Sequence, residues 1–394
     1  MSKNATLSTQ INTNRITATI DQVAEESGLS TPREEARRIM QICNACRYCE
    51  GFCSVFPAMT QHRHFSDPTL DYLANLCHNC RGCYYACQYA EPHEFNVNVP
   101  KTFNELRRDS WQTHAWPGFL ASAFDRNGLV ISLLCVMAMV LVFMGAALLN
   151  DAEGFFRAYP DGNFNAVIPH GVMIAIAGPV FIFAMLAMIV GGWSFWRATD
   201  KQHNSSQKSA GADASGLSKI ILGITNGLSL KNLSGAGHGC NDDDERFSMN
   251  RRYLHHATFY GFMLCFAATS TGTIYHYVFG WEAPHDYFSL PVVFGTVGGV
   301  LLCIGTAGQY LMKLKTEASL ASESLWGMEA GFIALLFFTS LTGLLLLGLR
   351  ETGAMGTILI VHLGFVLTLF LVLPYSKMVH GLYRLLALIR FQLQ

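Results

Sequence analysis

The sequence predicts an all-α membrane protein, in which a small cysteine-rich helical head precedes a bundle of six membrane-spanning helices. Three observations support this fold class. Of the 394 residues, 51% are hydrophobic and only 14% are charged, which is too apolar for an ordinary soluble protein. Six stretches without Asp, Glu, Lys or Arg are long enough to cross a bilayer as helices. Two short runs near the N-terminus, "CNACRYCEGFC" and "CHNCRGCYYAC", hold most of the twelve cysteines.

Composition also limits the kinds of partner that the chain is expected to bind. The formal net charge is -1 and the basic residues are not massed, so we expect no nucleic acid partner. Residues 1–30 lack the apolar core of a signal peptide and are predicted to form a flexible tail. Because nothing in this segment indicates export, the clustered cysteines favour metal binding over disulfide bonds.

Short helices are predicted beside both cysteine runs. In "TPREEARRIMQIC", Thr31 is placed as N-cap, with Pro32 at the first helical position and Glu34 at the third, which forms a capping box. In "SDPTLDYLANLC", Asp67 and Pro68 open a second helix in the same way. The two similar units predict a cytoplasmic domain over residues 31–110 that is too small to be stable without bound metal.

The spacing of the eight clustered cysteines is typical of proteins with two [4Fe–4S] clusters. In the C-x2-C-x2-C-x3-C run, three thiolates bind one cluster and the fourth binds the other. The head is therefore predicted to be a ferredoxin-like dicluster domain. Structural zinc is the alternative, although it commonly uses two separated C-x2-C pairs. The expected ligands are Cys43, Cys46, Cys49 and Cys87 for the first cluster, and Cys77, Cys80, Cys83 and Cys53 for the second.

The remainder, residues 111–394, is predicted to be a transmembrane domain. Because lipid offers the backbone no hydrogen-bonding partner, each span is expected to be a helix. Lys and Arg are concentrated in the connections on one side, so both termini are expected in the cytoplasm, with the bundle in the inner membrane. The predicted spans are 129–149, 168–192, 254–280, 288–312, 330–349 and 356–379.

A long cytoplasmic loop, residues 193–253, is predicted between the second and third spans. Its first part, "DKQHNSSQKSAGADASG", has the composition of a flexible linker. The following "LSKIILGITNGLSLKNL" has the pattern of an amphipathic helix. The sequence leaves open whether this helix lies on the membrane surface or packs against the bundle.

Histidines inside the spans are candidates for function, because polar side chains are costly in lipid. The 18 residues from His362 to His380 make five helical turns, so both histidines are expected on one face of the sixth span, about 27 Å apart along its axis. His255 and His276 lie within about 60° of one face of the third span. Each of these spans therefore carries one histidine near either membrane face.

The third and sixth spans run antiparallel, so their histidines are expected to meet in two layers. We expect His255 with His380 at the inner end, and His276 with His362 at the outer end. Each pair would supply the axial nitrogens of a b-type haem, as in a cytochrome b bundle, giving one or two haems. The alternative is that these are interfacial or hydrogen-bonded histidines without a ligand.

Other residues are assigned by context. His256 and His170 are substitute haem ligands, and His170 is also a candidate quinone contact. Three glycines are expected to leave room for the macrocycle between helices. These are Gly261, Gly272 and Gly364.

The remaining cysteines fall outside the two runs. In "GAGHGCN", His238 and Cys240 either touch a redox site at the cytoplasmic face or belong to a glycine-rich turn. Cys135, Cys265 and Cys303 lie in apolar spans and are interpreted as packing residues.

From about residue 35 onward, the chain resembles the tricarballylate/citrate utilisation protein B family (TcuB/CitB). The resemblance is carried by the two cysteine runs, by "RRYLHHATFYGF" and by "VHLGFVLTLFLVLPYSKMVHGLYR". The segment from Pro374 to His380 also resembles the haem-binding end of the nitrate reductase gamma subunit, and the head resembles the iron–sulfur subunit of heterodisulfide reductases. The family likeness implies a protein that reoxidises an FAD-dependent tricarballylate dehydrogenase and passes its electrons through clusters and haem into the membrane.

We therefore expect an electron-transfer protein that delivers electrons to a quinone. The first alternative reverses the direction, from quinol to a cytoplasmic acceptor. The second is a tricarboxylate transporter with a redox-sensing head, but the spans contain no Arg or Lys away from their ends to meet an anion. No catalytic triad, P-loop or dinucleotide fingerprint is found, so no flavin or nucleotide site is expected within the chain.

Overall fold

The structure is a computed structural model, and within its described residues the chain is almost entirely helical. The only strands in this described part are the two-residue segments β1, Cys240–Asn241, and β2, Phe247–Ser248, which pair antiparallel. The predicted tail 1–30 and His238 lie outside the described part. The structure describes residues 31–149, 154, 156–203, 216–233, 239–242, 246–316, 320 and 323–394.

The head has five helices around one hydrophobic core. The helices are α1 Pro32–Cys46, α2 Val55–Thr60, α3 Asp67–Leu76, α4 Gly82–Tyr85 and α5 Val99–His114. The capping box is confirmed, because the Glu34 amide donates to the Thr31 hydroxyl at 3.3 Å and the Thr31 amide donates to the Glu34 carboxylate at 2.9 Å. The core side chains are fully enclosed, and they fix α1, α3 and α5 against one another; they include Ile39, Met40, Leu73, Phe103 and Leu106.

Six long helices form the second domain. A 3-10 segment, Gly118–Phe124, leads from the head into the first of them. Two shorter helices lie outside the spans, α8 Gly216–Leu228 and α13 Val379–Leu393. The long helices are α6 Asn127–Leu149, α7 His170–His203, α9 Asn250–Phe279, α10 Leu290–Leu314, α11 Glu323–Leu349 and α12 Met355–Val372.

Five of these helices are long and apolar enough to cross a membrane, counted over the described ranges. They are α6, α7, α10, α11 and α12, the last together with the residues up to Tyr375. Helix α9, predicted as the third span, has 30 residues and is long enough. It does not reach the same mean hydropathy, since its sequence includes "TSTGTIYHY" and two adjacent histidines. The apolar helices make the chain a membrane protein.

Helix α9 packs along α10 through glycine. A Cβ on Gly261 would lie 2.8 Å from the carbonyl oxygen of Gly298, so the two backbones are in direct contact. A Cβ on Gly364 would lie 2.5 Å from Cγ of Met139. The expectation that these glycines leave room for a macrocycle is therefore wrong for Gly261 and Gly364, which serve helix packing. At Gly272 a Cβ would meet no atom within 4 Å.

The predicted sixth span is not one continuous helix. Helix α12 ends at Val372, a 3-10 turn covers Leu373–Tyr375, and Ser376 is extended before α13 begins. Pro374 explains the interruption, because its ring removes a backbone donor and clashes with the preceding turn. The prediction that His362 and His380 share one helix face is therefore wrong, and they lie on different helices.

The C-terminal helix α13 joins the two domains. On the head side, the Tyr72 hydroxyl donates to the terminal Gln394 side chain at 3.0 Å. On another side, a Cβ on Gly223 of α8 would lie 2.8 Å from the Cα of Ile389, so α8 and α13 are in close contact. The sequence leaves open whether the amphipathic segment lies on the membrane surface or packs against the bundle. In the structure this segment is α8, and it packs against α13.

Helix α7 continues beyond the second span to His203. The first residues of the predicted loop 193–253 are therefore helical, including residues 200–203 at the start of the predicted linker. Within this extension, the Asp200 carboxylate accepts a hydrogen bond from Arg390 of α13 at 2.9 Å.

Candidate functional site

The four ligands predicted for the first cluster line one cavity in the head. The cavity has a volume of about 280 Å³ and opens to solvent beside Tyr48, whose side chain is 68% exposed. It lies where α1 ends and the chain turns back, since Arg47 adopts a left-handed conformation with φ of 57°. The thiols on its wall are Cys43, Cys46, Cys49 and Cys87, joined by Cys83.

The other four predicted ligands line a second, smaller cavity of about 20 Å³. Cys77 and Cys80 are buried there, at the end of α3 and in the loop that follows. Cys83 lines both cavities, so the two sites are neighbours. The predicted sets are thus brought together, the second consisting of Cys53, Cys77, Cys80 and Cys83.

The arrangement suits iron–sulfur clusters better than zinc. A structural zinc requires four ligands about 2.3 Å from one ion. Over the described ranges, no three His, Cys, Asp or Glu side chains converge in a way that would hold one metal ion. The first set of thiols instead surrounds a cavity of about 280 Å³, which has room for a cluster of several irons.

The electrostatics of the first cavity also favour a metal cluster. Burial, and then the neighbouring thiols, raise the pKa of Cys43 to about 12. Burial, and then Cys87, raise the pKa of Cys49 to about 12 in the same way. Thiolates so close together require a positively charged partner, and bound iron supplies that charge.

The second cavity is covered by the connection between α7 and α9. The amide of Asn241 in β1 donates to the Cys80 carbonyl at 3.0 Å, and the Arg251 guanidinium donates to the Asn79 carbonyl at 2.5 Å. On the opposite side, the Asn232 amide donates to the Ser54 hydroxyl at 3.0 Å. Residues that follow α7 therefore lie against the wall of this cavity.

Cys240 lies within this cover. It is fully buried, packs with Cys80 and Leu230, and its thiol donates to the Leu233 carbonyl at 3.2 Å. Cys240 therefore lies beside a predicted cluster ligand, and Gly239, which precedes it, has the positive φ of 114° expected of a glycine-rich turn.

Two arginines beside the second cavity were not identified from the sequence as site residues. Arg107 of α5 and Arg384 of α13 both donate to the carbonyl of Cys77, at 2.6 Å and 2.8 Å. From the sequence alone, the two arginines contribute only to the distribution of Lys and Arg that predicts the orientation of the membrane domain. No spacing rule relates a residue of the head to one after the last span, so no sequence signal pairs them.

The predicted inner histidine pair is formed. The rings of His255 and His380 have centroids 6.0 Å apart and planes at 71°. Nδ1 of His380 lies 2.5 Å from the Lys377 carbonyl, which leaves Nε2 for another partner. Two imidazoles on opposite sides of one metal, with bonds of about 2 Å, would have centroids about 6 Å apart. The inner pair therefore fits an iron between its rings.

The outer histidines are arranged differently from the prediction. The ring of His276 lies against His170, with centroids 4.2 Å apart. Nδ1 of His362 lies 3.1 Å from the hydroxyl of Thr342 on α11. The contact that His276 makes is therefore with the substitute ligand His170. His256 stacks on Tyr260 with centroids 5.5 Å apart, away from the inner pair.

A charged cluster lies at the inner end of the bundle. Glu329 of α11 accepts from Lys377 at 2.6 Å and from Lys313 of α10. Both lysines are at span ends, as expected, and both are paired. The carboxylate thereby ties α10, α11 and the turn after α12 together beneath the inner histidines.

Comparisons with known proteins agree on one family. The family model described as "Citrate utilization protein B" matches residues 122–394, and the model "Citrate utilization protein B Fer4-like domain" matches residues 36–113. A curated relative, "Citrate utilization protein B" of Escherichia coli, is 43% identical over 374 residues, which cover 94% of this chain and 95% of the relative. No solved structure matches the chain significantly.

Proposed function

Because the chain belongs to the citrate utilization protein B family, we propose that it carries electrons from a cytoplasmic flavoprotein dehydrogenase to a quinone in the membrane. The name of the relative supports a role in the use of citrate or a similar tricarboxylate, and the Fer4-like head supports iron–sulfur chemistry. The partner in this proposal is an FAD-dependent dehydrogenase of the tricarballylate type. The protein lies in the inner membrane with both termini in the cytoplasm.

One observation carries the proposal, namely that the buried cysteine cavity adjoins the inner histidine pair. The carbonyl of Cys77 accepts a hydrogen bond from Arg384, and Arg384 lies one helical turn after His380 on α13. His380 in turn faces His255. The residues that would hold a cluster and those that would hold a haem are therefore connected through one side chain.

The two cavities differ in exposure, and this difference supports electron flow from the surface of the head toward the membrane domain. The first opens to solvent beside Tyr48, and the second is covered by Asn241 and Arg251. A soluble partner therefore has its easiest approach at the first. The second lies toward the membrane domain, so a relay from the partner enters at the first site.

The cofactors of the proposal follow from the residues described. The two cysteine sets hold [4Fe–4S] clusters, and His255 with His380 hold a b-type haem. A second haem would use His276 with His362, as predicted from the sequence. When bound, these groups supply one-electron transfer, which divides the two-electron chemistry of a reduced flavin into single steps.

Transport of a tricarboxylate receives no support. Lys313 and Lys377 lie at the inner end of the bundle, and both are engaged by Glu329. An anionic substrate would have to displace that carboxylate. The charge pattern therefore favours a structural role for these lysines.

The experiment that tests the proposal is a cofactor analysis of the detergent-purified, anaerobically handled protein. We expect about eight non-haem irons with matching acid-labile sulfide, one or two b haems, and no zinc. The dithionite-reduced protein is then mixed with a short-chain quinone, and we expect rapid reoxidation of the haem bands. Zinc in place of iron would overturn the cluster assignment, and iron without haem would remove the route through the membrane domain.

A further inference from the structure

Two guanidinium groups from different domains converge on one backbone oxygen. Arg107 in the last helix of the head and Arg384 in the C-terminal helix both donate to the carbonyl of Cys77. Arg107 is only 4% exposed, and its second terminal nitrogen donates to the Asn104 side chain at 2.8 Å. The thiol of Cys77 lines the second cavity, so both cations lie next to it.

Neither arginine has a carboxylate partner in the described part of the chain, where the buried Arg390 is paired with Asp200. Nε of Arg384 is buried without a hydrogen-bond acceptor there. Two like charges in one partly buried place are costly unless an anion lies close by.

Another arginine on the helix that carries Arg384 has its charge balanced by a carboxylate. Arg390 of α13 is also buried, but it forms an ion pair with Asp200 at 2.9 Å and donates to the Trp196 carbonyl. Its charge is balanced within the protein. The charges of Arg107 and Arg384 require an anion that the polypeptide does not supply nearby.

The second cavity provides that anion under the proposed function, on which this inference rests. A cluster held by four thiolates carries a net negative charge, and reduction adds another electron. At the first cavity the lining arginine is Arg47, which is exposed and donates to the Asn44 carbonyl at 3.0 Å. Water screens an exposed charge far more than a buried one.

We propose that Arg107 and Arg384 form a cationic seat for the second cluster, stabilise its reduced state and make it the higher-potential of the two iron–sulfur centres. In the step concerned, one electron from the reduced flavin of the partner reaches the cluster, and no bond forms or breaks. The added negative charge is met by two fixed guanidinium groups. Burial alone would disfavour this charge, and the seat offsets it because charges interact more strongly where water is excluded.

Arg384 also lies between the second cavity and the histidines of the membrane domain. It lies one turn after His380 on the same face of α13, so its charge stands between the second cavity and the inner histidine pair. A low-potential surface site followed by a higher-potential buried site favours electron flow inward. The seat thus gives the relay its direction.

The test is a redox titration of the whole detergent-purified protein followed by electron paramagnetic resonance. Arg107→Gln and Arg384→Gln remove charge and keep a hydrogen-bond donor, while Arg390→Gln is the matched control. A Cys46→Ser variant identifies the signal of the first cluster. In the unaltered protein, we expect the second cluster to have the higher midpoint potential.

Each Gln variant at the seat is expected to lower the reduction equilibrium constant of the second cluster at least tenfold, which is about 59 mV for one electron. The first cluster and the control are expected to be unchanged. Full iron content with no shift in either Gln variant would overturn the seat while leaving the relay intact. A second cluster of lower potential than the first in the unaltered protein would also overturn it.

A charge-conserving variant keeps the test decisive if a Gln variant fails to assemble the second cluster. If Arg384→Gln loses the second cluster, Arg384→Lys keeps the positive charge while removing the planar guanidinium. A midpoint potential close to that of the unaltered protein supports the seat. A tenfold fall with Lys in place would show that charge is not the cause. Absence of iron from every form, including the unaltered protein, would instead remove the proposed function itself.

Discussion

The rings of His255 and His380 face each other with centroids 6.0 Å apart, although one lies at the start of α9 and the other on the helix after the last span. Neither helix positions its histidine alone. The placement depends on the break after α12 and on the packing of α9 against α10. The following predictions test these elements in turn.

Replacement of His380 by Ala is expected to remove one haem and leave both clusters in place. The reason is that the inner pair loses one of its two axial nitrogens, while the cysteine cavities lie elsewhere. Haem per chain and the reduced-minus-oxidised spectrum measure the loss, and iron and sulfide analysis monitor the clusters. His256→Ala is the control, because His256 stacks on Tyr260. Unchanged haem in His380→Ala would contradict the inner site.

Replacement of Cys46 by Ser is expected to lose one cluster, which is about half of the non-haem iron. Cys46 lines the first cavity, and a hydroxyl is a much poorer ligand for iron than a thiolate. The control is Cys240→Ser, because this thiol donates to the Leu233 carbonyl and is assigned no ligand role. Equal iron loss in the two variants would mean that the assignment of ligands is incorrect.

Replacement of Glu329 by Gln is expected to destabilise the membrane domain by about 3 kcal/mol or more, because two lysines are left without their shared carboxylate. Thermal unfolding in detergent measures the change. Glu351→Gln at the opposite end of the bundle is the control, since Glu351 is 51% exposed and its pair with Arg350 spans 3.8 Å. That variant should change stability by less than about 1 kcal/mol. A similar small effect for Glu329→Gln would refute the role of the cluster.

Asp71 and His114 in the head are expected to have opposing effects on stability as pH changes. The Asp71 carboxylate lies 4.0 Å from Nε2 of His114 and 3.0 Å from Arg33. Burial raises the pKa of Asp71 from 3.8 to about 6, and burial lowers the pKa of His114 from 6.5 to about 4.

The raised carboxyl binds more protons when folded, so its contribution to stability falls as pH rises from about 4 to 6. The lowered imidazole binds fewer protons when folded, so its contribution rises from about pH 4 to 6.5. Relative to the unaltered protein, Asp71→Asn should gain about 3 kcal/mol across this window, and His114→Gln should lose a similar amount. Melting temperatures across the pH range test this, and parallel curves for both variants would contradict it.

Replacement of Gly261 by Ala is expected to move α9 away from α10 and to lower haem content. The new Cβ would lie 2.8 Å from the Gly298 carbonyl oxygen, so the backbone must shift and carry His255 with it. Gly272→Ala on the same helix is the control, because its Cβ would meet nothing within 4 Å. If the two variants have equal haem content and melting temperature, the glycine contact does not position the helix.

Several features of the fold were predictable because their causes are local. The capping box at Thr31 depends on residues within one helical turn, and the apolar spans depend on composition over about twenty residues. The proximity of the eight cysteines was also predictable, because three thiols of each run are close along the chain. Cys87 lines the first cavity and Cys53 the second, while their division into two ligand sets stays a prediction.

The predictions for the sixth span and the outer histidines required information that no local pattern contains. Helical periodicity treated His362 and His380 as members of one helix, but Pro374 interrupts it. The inner pair nonetheless forms, since α13 carries His380 back toward α9. His276 meets His170 rather than a residue of α12, because the packing order of the helices decides which faces touch.

The sequence by itself thus determined the helical class, the metal-binding head, the membrane segments and the grouping of the thiols, since each follows from short-range spacing or composition. Tertiary structure alone decided that the loop around Cys240 covers the second cavity and that Arg107 and Arg384 meet on the Cys77 carbonyl. Those contacts join residues far apart in the chain, and their geometry arises only when the head, the bundle and α13 pack together.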